Sequence, residues 1–279
     1  MKKPKPMFTW AGGKSKVIKN YSNYLPQSVD EYSEPFFGGG AMFLYIMERY
    51  SPRKSYINDS YDGIINIYNA VKNTVEEFCS IVDSYESQYL PLSKEGRKEL
   101  YYHTRHAHAY DYESWDRVYE AATLYFLMKT GFNGILQVNQ NTNNRYGTPS
   151  GLLNQKDKIY DKDVVYYWNH LLRNAEISCG DYKNCPTGDF NFIDPPYRDS
   201  FTTYGTGWGD TETEELLDYV KGLSGKFLLC NRDDGTTFFE DRLDGLNMIK
   251  FPITYTAGRR KKTDSGYEAK KATEILIYN

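Results

Sequence analysis

The stretch VDEYSEPFFGGGAMFLYIMERY, residues 29–50, decides the fold. It predicts a strand, a glycine turn and a helix whose apolar positions recur at helical spacing. The same pattern follows in KSYINDSYDGIINIYNAVKN, residues 54–73, where a strand should end near Asp59. Two successive strand–helix units are typical of a parallel sheet covered by helices on both faces, so we expect an α/β protein. Ligands bind such sheets beyond the carboxyl ends of the strands, which is where residues 36–40 and Asp59 fall.

The middle of the chain has a different character from its two ends. Residues 75–165 are polar and rich in tyrosine. Within them, SWDRVYEAATLYFLMKTGFNG (114–134) predicts a helix with a serine cap and a glycine stop, and ILQVNQNTNNRYGTPSG (135–151) predicts a hairpin or an ordered loop. Residues 166–279 return to alternating strands and helices. We therefore expect a sheet formed by residues 1–74 and 166–279, with a mainly helical insertion between its halves.

Composition narrows the class of protein. The chain has 279 residues and a net charge of −3, and no window approaches the roughly 18 uncharged apolar residues of a membrane helix. Its four cysteines form no CxxC pair and its histidines show no ligand spacing, so we expect reduced thiols and no metal site. The net charge argues weakly against nucleic acid, but basic residues crowd the start and the run AGRRKKTDSGYEAKK, residues 257–271. Such a run is as compatible with phosphate contact as with a solvated loop.

The segment FTWAGGKSKVI, residues 8–18, ends like a phosphate-binding loop, since Gly13 and Lys14 precede a serine. A P-loop also needs a glycine five positions before Gly13, where this chain has Phe8. Nor does the lysine follow an apolar strand. The segment therefore does not predict a triphosphate site, and another ligand has to explain Trp10, the two glycines and the lysine.

The most informative stretch is FNFIDPPYRDS, residues 190–200. A buried strand should stop at Pro195 and Pro196, which lock φ and carry no N–H. Asp194 and a proline carbonyl then offer hydrogen-bond acceptors without donors, beside the flat ring of Tyr197. Such a corner fits a planar amino group, because the acceptors bind its N–H groups, free the nitrogen lone pair and stabilise charge that develops in the transition state. The alternative is a plain Asp-Pro-Pro turn that closes a strand.

Together these motifs resemble the Dam-type DNA adenine-N6 methyltransferases of bacteria and phages, the alpha group of the D12 class. The similarity runs along the whole chain in the order FTWAGGK, EPFFGGGAMF, IND, TGFNG, DPPY, FTTY and TEILIYN. The resemblance implies a Rossmann-like, S-adenosylmethionine-dependent methyltransferase sheet. Residues 1–74 and 166–279 would form the catalytic domain, and residues 75–165 a mainly helical target-recognition domain that carries a hairpin. The implied activity is methyl transfer to N6 of adenine in double-stranded DNA, with base flipping, at GATC or a variant site.

The resemblance also assigns the cofactor. In this family the segment matching WAGGK lies over S-adenosylmethionine, and the residues matching Trp10 and Lys14 bind it. The residue types agree, since a lysine suits a carboxylate, an indole suits a sulfonium or adenosine, and glycines let the backbone approach closely. Asp59 is placed to bridge ribose hydroxyls, whereas Asp181 either lines the adenine pocket or ends a strand in a turn. The expected cofactor-binding residues are Trp10, Ala11, Gly12, Lys14, Glu34, Phe36, Phe37, Gly38, Gly40, Asp59, Asp181 and Asp194. The expected catalytic residues are Asp194, Pro195, Pro196 and Tyr197.

The hairpin of the insertion is assigned to DNA by the same resemblance. Asn133 matches the residue that contacts the orphaned thymine. GATC-methylating relatives carry an arginine, suited to guanine, where this chain has Gln137. The chain therefore reads a variant site or reads its guanine from Arg145, and the alternative for Asn133 and Gln137 is plain loop decoration. The expected DNA-binding residues are Asn133, Gln137, Asn139, Arg145, Arg259, Arg260 and Lys261.

Three alternatives stay open at this point: an RNA adenine methyltransferase, a protein amide methyltransferase, and a DNA-binding relative that has lost activity. Protein amide enzymes typically have Asn at the position of Asp194, RNA enzymes usually append a recognisable RNA module, and nothing in the catalytic motif is damaged. We expect a monomer that acts on double-stranded DNA in the cytoplasm of a bacterium or a phage-infected host, without membrane contact.

Overall fold

The computed structural model describes residues 5–151, 157–198, 200–201, 207–255, 261–263, 266–268 and 270–279. The strands in these residues are β1 Glu31–Glu34, β2 Lys54–Asp59, β3 Val138–Asn139, β4 Arg145–Tyr146, β5 Ala175–Cys179, β6 Phe190–Ile193, β7 Ser200–Phe201, β8 Gly207–Trp208, β9 Lys226–Arg232, β10 Asn247–Tyr255, β11 Lys261–Thr263, β12 Gly266–Glu268 and β13 Lys270–Tyr278. The α-helices are α1 Ile18–Tyr21, α2 Ala41–Tyr50, α3 Asp62–Asn73, α4 Val75–Tyr89, α5 Lys94–Tyr110, α6 Arg117–Thr130, α7 Lys162–Leu172 and α8 Asp210–Lys221.

A seven-stranded sheet with the order β10-β13-β9-β6-β1-β2-β5 forms the centre of the molecule. β1 pairs in parallel with β2 and β6, β2 pairs in parallel with β5, and β6 pairs in parallel with β9. β13 is antiparallel to both of its neighbours, β9 and β10. The α/β class expected from the sequence is confirmed, and so is its largely parallel sheet. Within the described residues, none of the helices is both long and apolar enough to span a bilayer.

The insertion contributes α4, α5, α6 and the hairpin β3–β4. Its long helix α6 begins with an aspartate cap, since the Asp116 side chain accepts from the Tyr119 N–H at 2.7 Å. The predicted serine cap is wrong, because the Ser114 hydroxyl donates to the Asp111 carbonyl at 2.8 Å in the preceding turn. Serine and aspartate are equally good caps and lie two residues apart here, so local sequence did not separate them.

One hydrophobic core runs through the sheet and into the insertion. Phe43 of α2, Phe78 of α4 and Tyr125 of α6 belong to the same buried cluster. The start of the chain joins the two parts, because the Met7 carbonyl accepts from the Tyr125 hydroxyl at 3.2 Å and from Lys129 Nζ at 3.3 Å. The insertion is therefore packed against the central sheet, and the domain limits read from the sequence stay a prediction.

Candidate active site

Three strand ends meet at one edge of the sheet. β1 ends at Glu34, β2 at Asp59 and β6 at Ile193, and β1 lies between the other two. Because these strands are parallel, the chain leaves all of them on the same side. The loop that follows β1, residues 36–40, is called the glycine loop. It therefore lies beside Asp59 and the DPPY motif that begins at Asp194.

The side chain of Asp59 holds the glycine loop. The Gly38 N–H donates to Asp59 Oδ2 at 2.9 Å, and the Tyr61 N–H donates to Oδ1 at 3.0 Å. Gly38 has φ +50°, in the left-handed region that favours glycine, and its carbonyl accepts from the Tyr68 hydroxyl at 3.0 Å. Burial raises the pKa of Asp59 to about 6, against the effect of the backbone N–H groups. A carboxylate has about four lone-pair sites, so Asp59 keeps acceptor capacity for a further donor beside the backbone N–H groups of Gly38, Ser60 and Tyr61.

The Trp10 indole packs directly on this loop. A Cβ on Gly38 would meet the indole ring far inside van der Waals contact. The segment after Trp10 is a turn in which the Gly13 N–H donates to the Trp10 carbonyl at 3.1 Å. Ala11 and Gly12 are exposed in this turn. The segment that resembles a P-loop therefore brings an indole against the glycine loop.

The DPPY motif is anchored by a buried lysine. β6 is buried along its whole length and ends directly before Asp194, where the two prolines cannot donate to the sheet. Asp194 Oδ1 accepts from Lys14 Nζ at 2.6 Å, and the same ammonium donates to the Tyr197 hydroxyl at 2.8 Å. The Lys14 side chain is 5% exposed and that of Asp194 is 21% exposed. One buried cation therefore ties together the two polar side chains of the motif.

A residue missed at the level of sequence completes this cluster. Glu274 on β13 is buried, and its Oε1 lies 3.4 Å from Lys14 Nζ. The same oxygen accepts from the Tyr21 hydroxyl at 2.8 Å and from the Tyr197 hydroxyl at 3.3 Å. The one available signal was a glutamate directly before the apolar run ILIY of the last strand. One ammonium is therefore shared by two carboxylates.

This sharing sets the charges of the cluster. Burial alone would lower the pKa of Lys14, but Asp194 and Glu274 raise it well above its ordinary value. Burial raises the pKa of Asp194 to about 6, with Lys14 opposing this rise and Glu274 adding to it. At pH 7 the lysine is charged and Asp194 is mostly ionised. The corner therefore presents a carboxylate acceptor in a cluster that carries a net negative charge.

Residues 10–256 match the D12 class N6 adenine-specific DNA methyltransferase family. The chain belongs to this class. The matched span contains the WAGGK turn, the glycine loop, the insertion and the DPPY motif, so the resemblance inferred from these motifs is confirmed. The family implies S-adenosylmethionine as methyl donor and DNA as substrate.

Curated relatives of this methyltransferase extend over nearly the same length. The chain is 30% identical over 263 residues to the Type II methyltransferase M.MjaIII of Methanocaldococcus jannaschii, which covers 88% of this chain and 90% of the relative. It is 27% identical to the Type II methyltransferase M1.LlaDCHI of Lactococcus lactis subsp. cremoris, with 99% and 95% coverage. It is 26% identical to the DNA adenine methylase of Vibrio cholerae, over 94% of each chain.

Besides Gly38, three further predicted cofactor residues of the methyltransferase lie in or beneath the glycine loop. Glu34 is buried and accepts from the Tyr32 hydroxyl at 2.7 Å, and burial raises its carboxyl pKa well above the ordinary value. The Phe37 ring packs in the core, 6.4 Å from the Trp168 ring. Gly40 has φ +62° and is the N-cap of α2. Glu34 and the Phe37 ring therefore pack on the side of the loop that faces the core.

Phe36 and Asp181 lie nearer the surface. The Phe36 ring stacks on Tyr182 at 5.0 Å and meets the Trp208 ring edge at 5.7 Å. Trp208 Nε1 and the Tyr182 hydroxyl have no hydrogen-bond partner among the described residues, although both are buried. Asp181 accepts from the Lys183 N–H at 2.9 Å and is exposed. It ends β5 in a turn, and its predicted contact with adenine stays a prediction.

The hairpin residues predicted to contact DNA fall into two groups. Asn133 and Gln137 are exposed, and Phe132, beside Asn133, is 48% exposed. Asn139 has a local partner, because its Oδ1 accepts from the Asn141 N–H at 2.8 Å. The exposed group is accessible to a duplex, whereas Asn139 caps the turn between β3 and β4.

Arg145 is engaged inside the protein. Its guanidinium pairs with the buried carboxylate of Glu120 and lies 3.8 Å from the centre of the Tyr112 ring. Glu120 also accepts from Asn66 Nδ2 at 2.8 Å and from Arg117 at 2.9 Å. The Arg145 side chain is 12% exposed. The arginine therefore joins the hairpin to α6, whose Glu120 in turn bonds to α3, and a contact with guanine would require this ion pair to open.

The predicted basic DNA contacts near the end of the chain are only partly described. Arg259 and Arg260 lie outside the described residues. Lys261 begins β11, which pairs with β12. In the part of the chain that the structure describes, no group of three or more His, Cys, Asp or Glu residues is arranged to hold a metal ion.

Proposed function

We propose that this protein transfers a methyl group from S-adenosylmethionine to the N6 amine of an adenine that has been rotated out of double-stranded DNA. The observation that carries the proposal is the Asp194 corner. The Asp194 carboxylate shares one ammonium with a second carboxylate and lies at the end of a buried strand, beside two prolines that offer carbonyls without N–H groups. Such a corner accepts hydrogen bonds from the N–H groups of an amine, and it repels a ligand group that is itself an acceptor.

Within this corner the two oxygens of Asp194 have different tasks. Oδ1 accepts from Lys14, which fixes the plane of the carboxylate. Oδ2 and a proline carbonyl of the motif accept from the two N–H groups of the target amine. These bonds pull the nitrogen lone pair out of the ring and stabilise the positive charge that develops on nitrogen. The carboxylate oxygen that accepts from the amine can also take the proton that the amine releases after transfer.

The residues of the loop fit the cofactor. Asp59 has lone pairs left for ribose hydroxyls, and the loop and the Trp10 indole leave no room for a Cβ at Gly38. When bound, S-adenosylmethionine supplies an electrophilic methyl group on a sulfonium. A cluster with a net negative charge favours such a cation, and Trp10 offers it an electron-rich face.

Base flipping brings the amine to the corner. An adenine inside a duplex is hidden from the end of a sheet, and its extrusion costs a few kcal/mol. The Tyr197 ring is half-buried and its hydroxyl is held by Lys14 and Glu274. We assign this ring to stacking on the extruded base, and exposed Asn133 to the orphaned partner.

The recognition sequence is proposed to be GATC or a variant of it. Gln137 is exposed at the position where GATC-methylating relatives carry an arginine, and glutamine favours adenine. Arg145, the alternative reader of guanine, is paired with buried Glu120. These two observations together favour a variant site.

Methylated-base sequencing tests the proposal. The chain is expressed in cells without adenine methylation, beside its Asp194→Ala variant as control, and their DNA is sequenced for N6-methyladenine. We expect N6-methyladenine in one sequence context, with the wild-type protein alone. Purified protein is then given tritiated cofactor with duplex DNA or with RNA. Cofactor binding without transfer would favour the inactive relative, and transfer to RNA alone would favour the RNA enzyme.

A glycine variant tests the cofactor site. Gly38→Ala should weaken S-adenosylmethionine binding by tenfold or more, about 1.4 kcal/mol, because the new Cβ displaces the Trp10 indole. Gly245→Ala is the matched control, since Gly245 has φ +91° and nothing within 4 Å of a built Cβ. Both variants strain a left-handed residue by on the order of 1 kcal/mol. Calorimetric titration should separate them, and equal dissociation constants would remove Trp10 and Gly38 from the cofactor site.

A further inference from the structure

The strand β13 places a buried carboxylate behind the DPPY motif. Glu274 is 1% exposed, and its neighbours Ile275, Leu276 and Ile277 are apolar and buried. Removing a carboxylate from water costs several kcal/mol unless donors replace the water. An apolar side chain would serve the packing of this strand as well. The presence of Glu274 therefore points to a role other than holding the sheet together.

The partners of Glu274 indicate that role. Its Oε1 accepts from two tyrosine hydroxyls, Tyr21 at 2.8 Å and Tyr197 at 3.3 Å, and lies 3.4 Å from Lys14 Nζ. The Tyr197 hydroxyl also accepts from Lys14 at 2.8 Å. The hydroxyl is therefore held from two sides, which fixes the direction of the ring.

The charges around Glu274 are few and close. The titratable groups that face it in the described residues are Lys14, Asp194, Tyr197, Tyr21 and Cys230. The Cys230 thiol donates to the Tyr21 hydroxyl at 3.6 Å. Lys14 is the one cation of this group, and it is shared between two carboxylates. Without Glu274 the lysine would neutralise Asp194 alone, and the corner would lose its net negative charge.

We propose that Glu274 is a positioning residue for methyl transfer: it holds the Tyr197 hydroxyl and shares the Lys14 ammonium with Asp194. This inference rests on the proposed function, because it assigns the Tyr197 ring to the base and the Asp194 carboxylate to the amine. The shared ammonium leaves Asp194 a stronger acceptor. The clamped hydroxyl presents the ring in one orientation.

The test compares Glu274→Gln with Glu176→Gln, a glutamate on β5 that is exposed and pairs with Lys54 at the surface. The glutamine keeps the shape and an acceptor but removes the charge. We expect kcat for tritium transfer to DNA to fall about tenfold, with the KM for S-adenosylmethionine changed less than about twofold. Glu176→Gln should leave both constants unchanged.

Two pH readouts separate positioning from a merely structural role. Transfer needs ionised Asp194, so its rate falls as pH drops through the pKa of that carboxyl. The charge of Glu274 raises this pKa, and its removal should therefore shift the acid limb of kcat to lower pH. Carbon-13 NMR of aspartate-labelled protein measures the Asp194 midpoint directly, with Asp194→Asn to assign the signal. This midpoint should move the same way in Glu274→Gln and stay in place in Glu176→Gln.

The outcomes distinguish the inference from the proposed function. An unmoved Asp194 midpoint together with unchanged kcat in Glu274→Gln would overturn the inference. A shifted midpoint in a protein that methylates no adenine would support the network and refute the proposed function. If Glu274→Gln does not fold, Tyr197→Phe keeps both the ring and Glu274 and removes their link. We then expect kcat to fall about tenfold, and unchanged kcat in that variant would equally overturn the inference.

Discussion

Asp194→Ala should lower methyl transfer to DNA by about 10³-fold while leaving the free energy of unfolding within about 1 kcal/mol of the wild-type value. Transfer falls because the target amine loses the carboxylate that accepts a hydrogen bond from its N–H group. The fold tolerates the change because Lys14 keeps Glu274 as a partner 3.4 Å away. The cluster then contains one ammonium and one carboxylate, so no buried charge is left unpaired. Tritium transfer and urea unfolding measure the two effects.

Asp189→Ala is the matched control for this variant. Asp189 directly precedes the same strand, β6, and its oxygens accept from the N–H groups of Asp30 and Glu31 at 3.0 Å. Its removal should lower stability by about 1 kcal/mol and leave transfer unchanged, the reverse of the pattern for Asp194. Near-normal turnover in Asp194→Ala would be incompatible with the amine corner.

Lys14→Met should lower both stability and activity. The methionine fills the space of the lysine stem but leaves Asp194 and Glu274 facing each other without a cation. Breaking a buried pair in this way costs about 3–5 kcal/mol. The pKa of Asp194 should rise above its wild-type value of about 6, because its one opposing charge is gone. Transfer at pH 7 should then fall by at least about 10²-fold.

The pH dependence of this variant has a definite sign. A carboxyl whose pKa is raised by folding favours the folded state below its unfolded pKa, and that contribution is lost as pH rises through the folded pKa. The loss of folding stability in Lys14→Met should therefore be smaller at pH 5 than at pH 7. Its acid limb of kcat should move to higher pH, opposite to the shift expected for Glu274→Gln.

Lys19→Met, on the exposed face of α1, is the control for the loss of a lysine. Adding Glu274→Gln to Lys14→Met should restore part of the stability, because one of the two unpaired charges is removed. Calorimetric titration with S-adenosylmethionine also tests the assignment of Lys14 made from the sequence. An unchanged dissociation constant in Lys14→Met would remove this lysine from the cofactor site and leave it with the DPPY motif.

The backbone of the site could be predicted from local sequence. The glycine loop and the Pro195–Pro196 stop each follow a strand, and the carboxyl ends of parallel strands must share an edge. Asp59 could be placed for the same reason, since it ends β2. These predictions depend on residues close together in the chain, where turn chemistry and periodicity act.

The partners of the charged side chains could not be predicted in this way. Glu274 bonds to Tyr21 across a separation of 253 residues, and the contact exists because β13 enters the sheet beside β9. Arg145 was placed in a hairpin by its neighbours, but its pairing with Glu120 depends on how α6 packs beneath the hairpin. The amphipathic pattern of a sequence predicts which face of an element is buried. It does not predict which buried charged side chains pair with each other.

The reversed strand β13 has a consequence for the synthesis of this enzyme. β13 pairs with β9 on one side and with β10 on the other, so β10 has no partner in the sheet until β13, which comes later in the chain, has left the ribosome. The same strand carries Glu274. A nascent chain in which every earlier motif has emerged still lacks Glu274, the carboxylate that shares Lys14 with Asp194. Pairing between distant segments of the chain is also slow. We therefore expect methylation competence to arise after translation of β13, as one of the last events of folding.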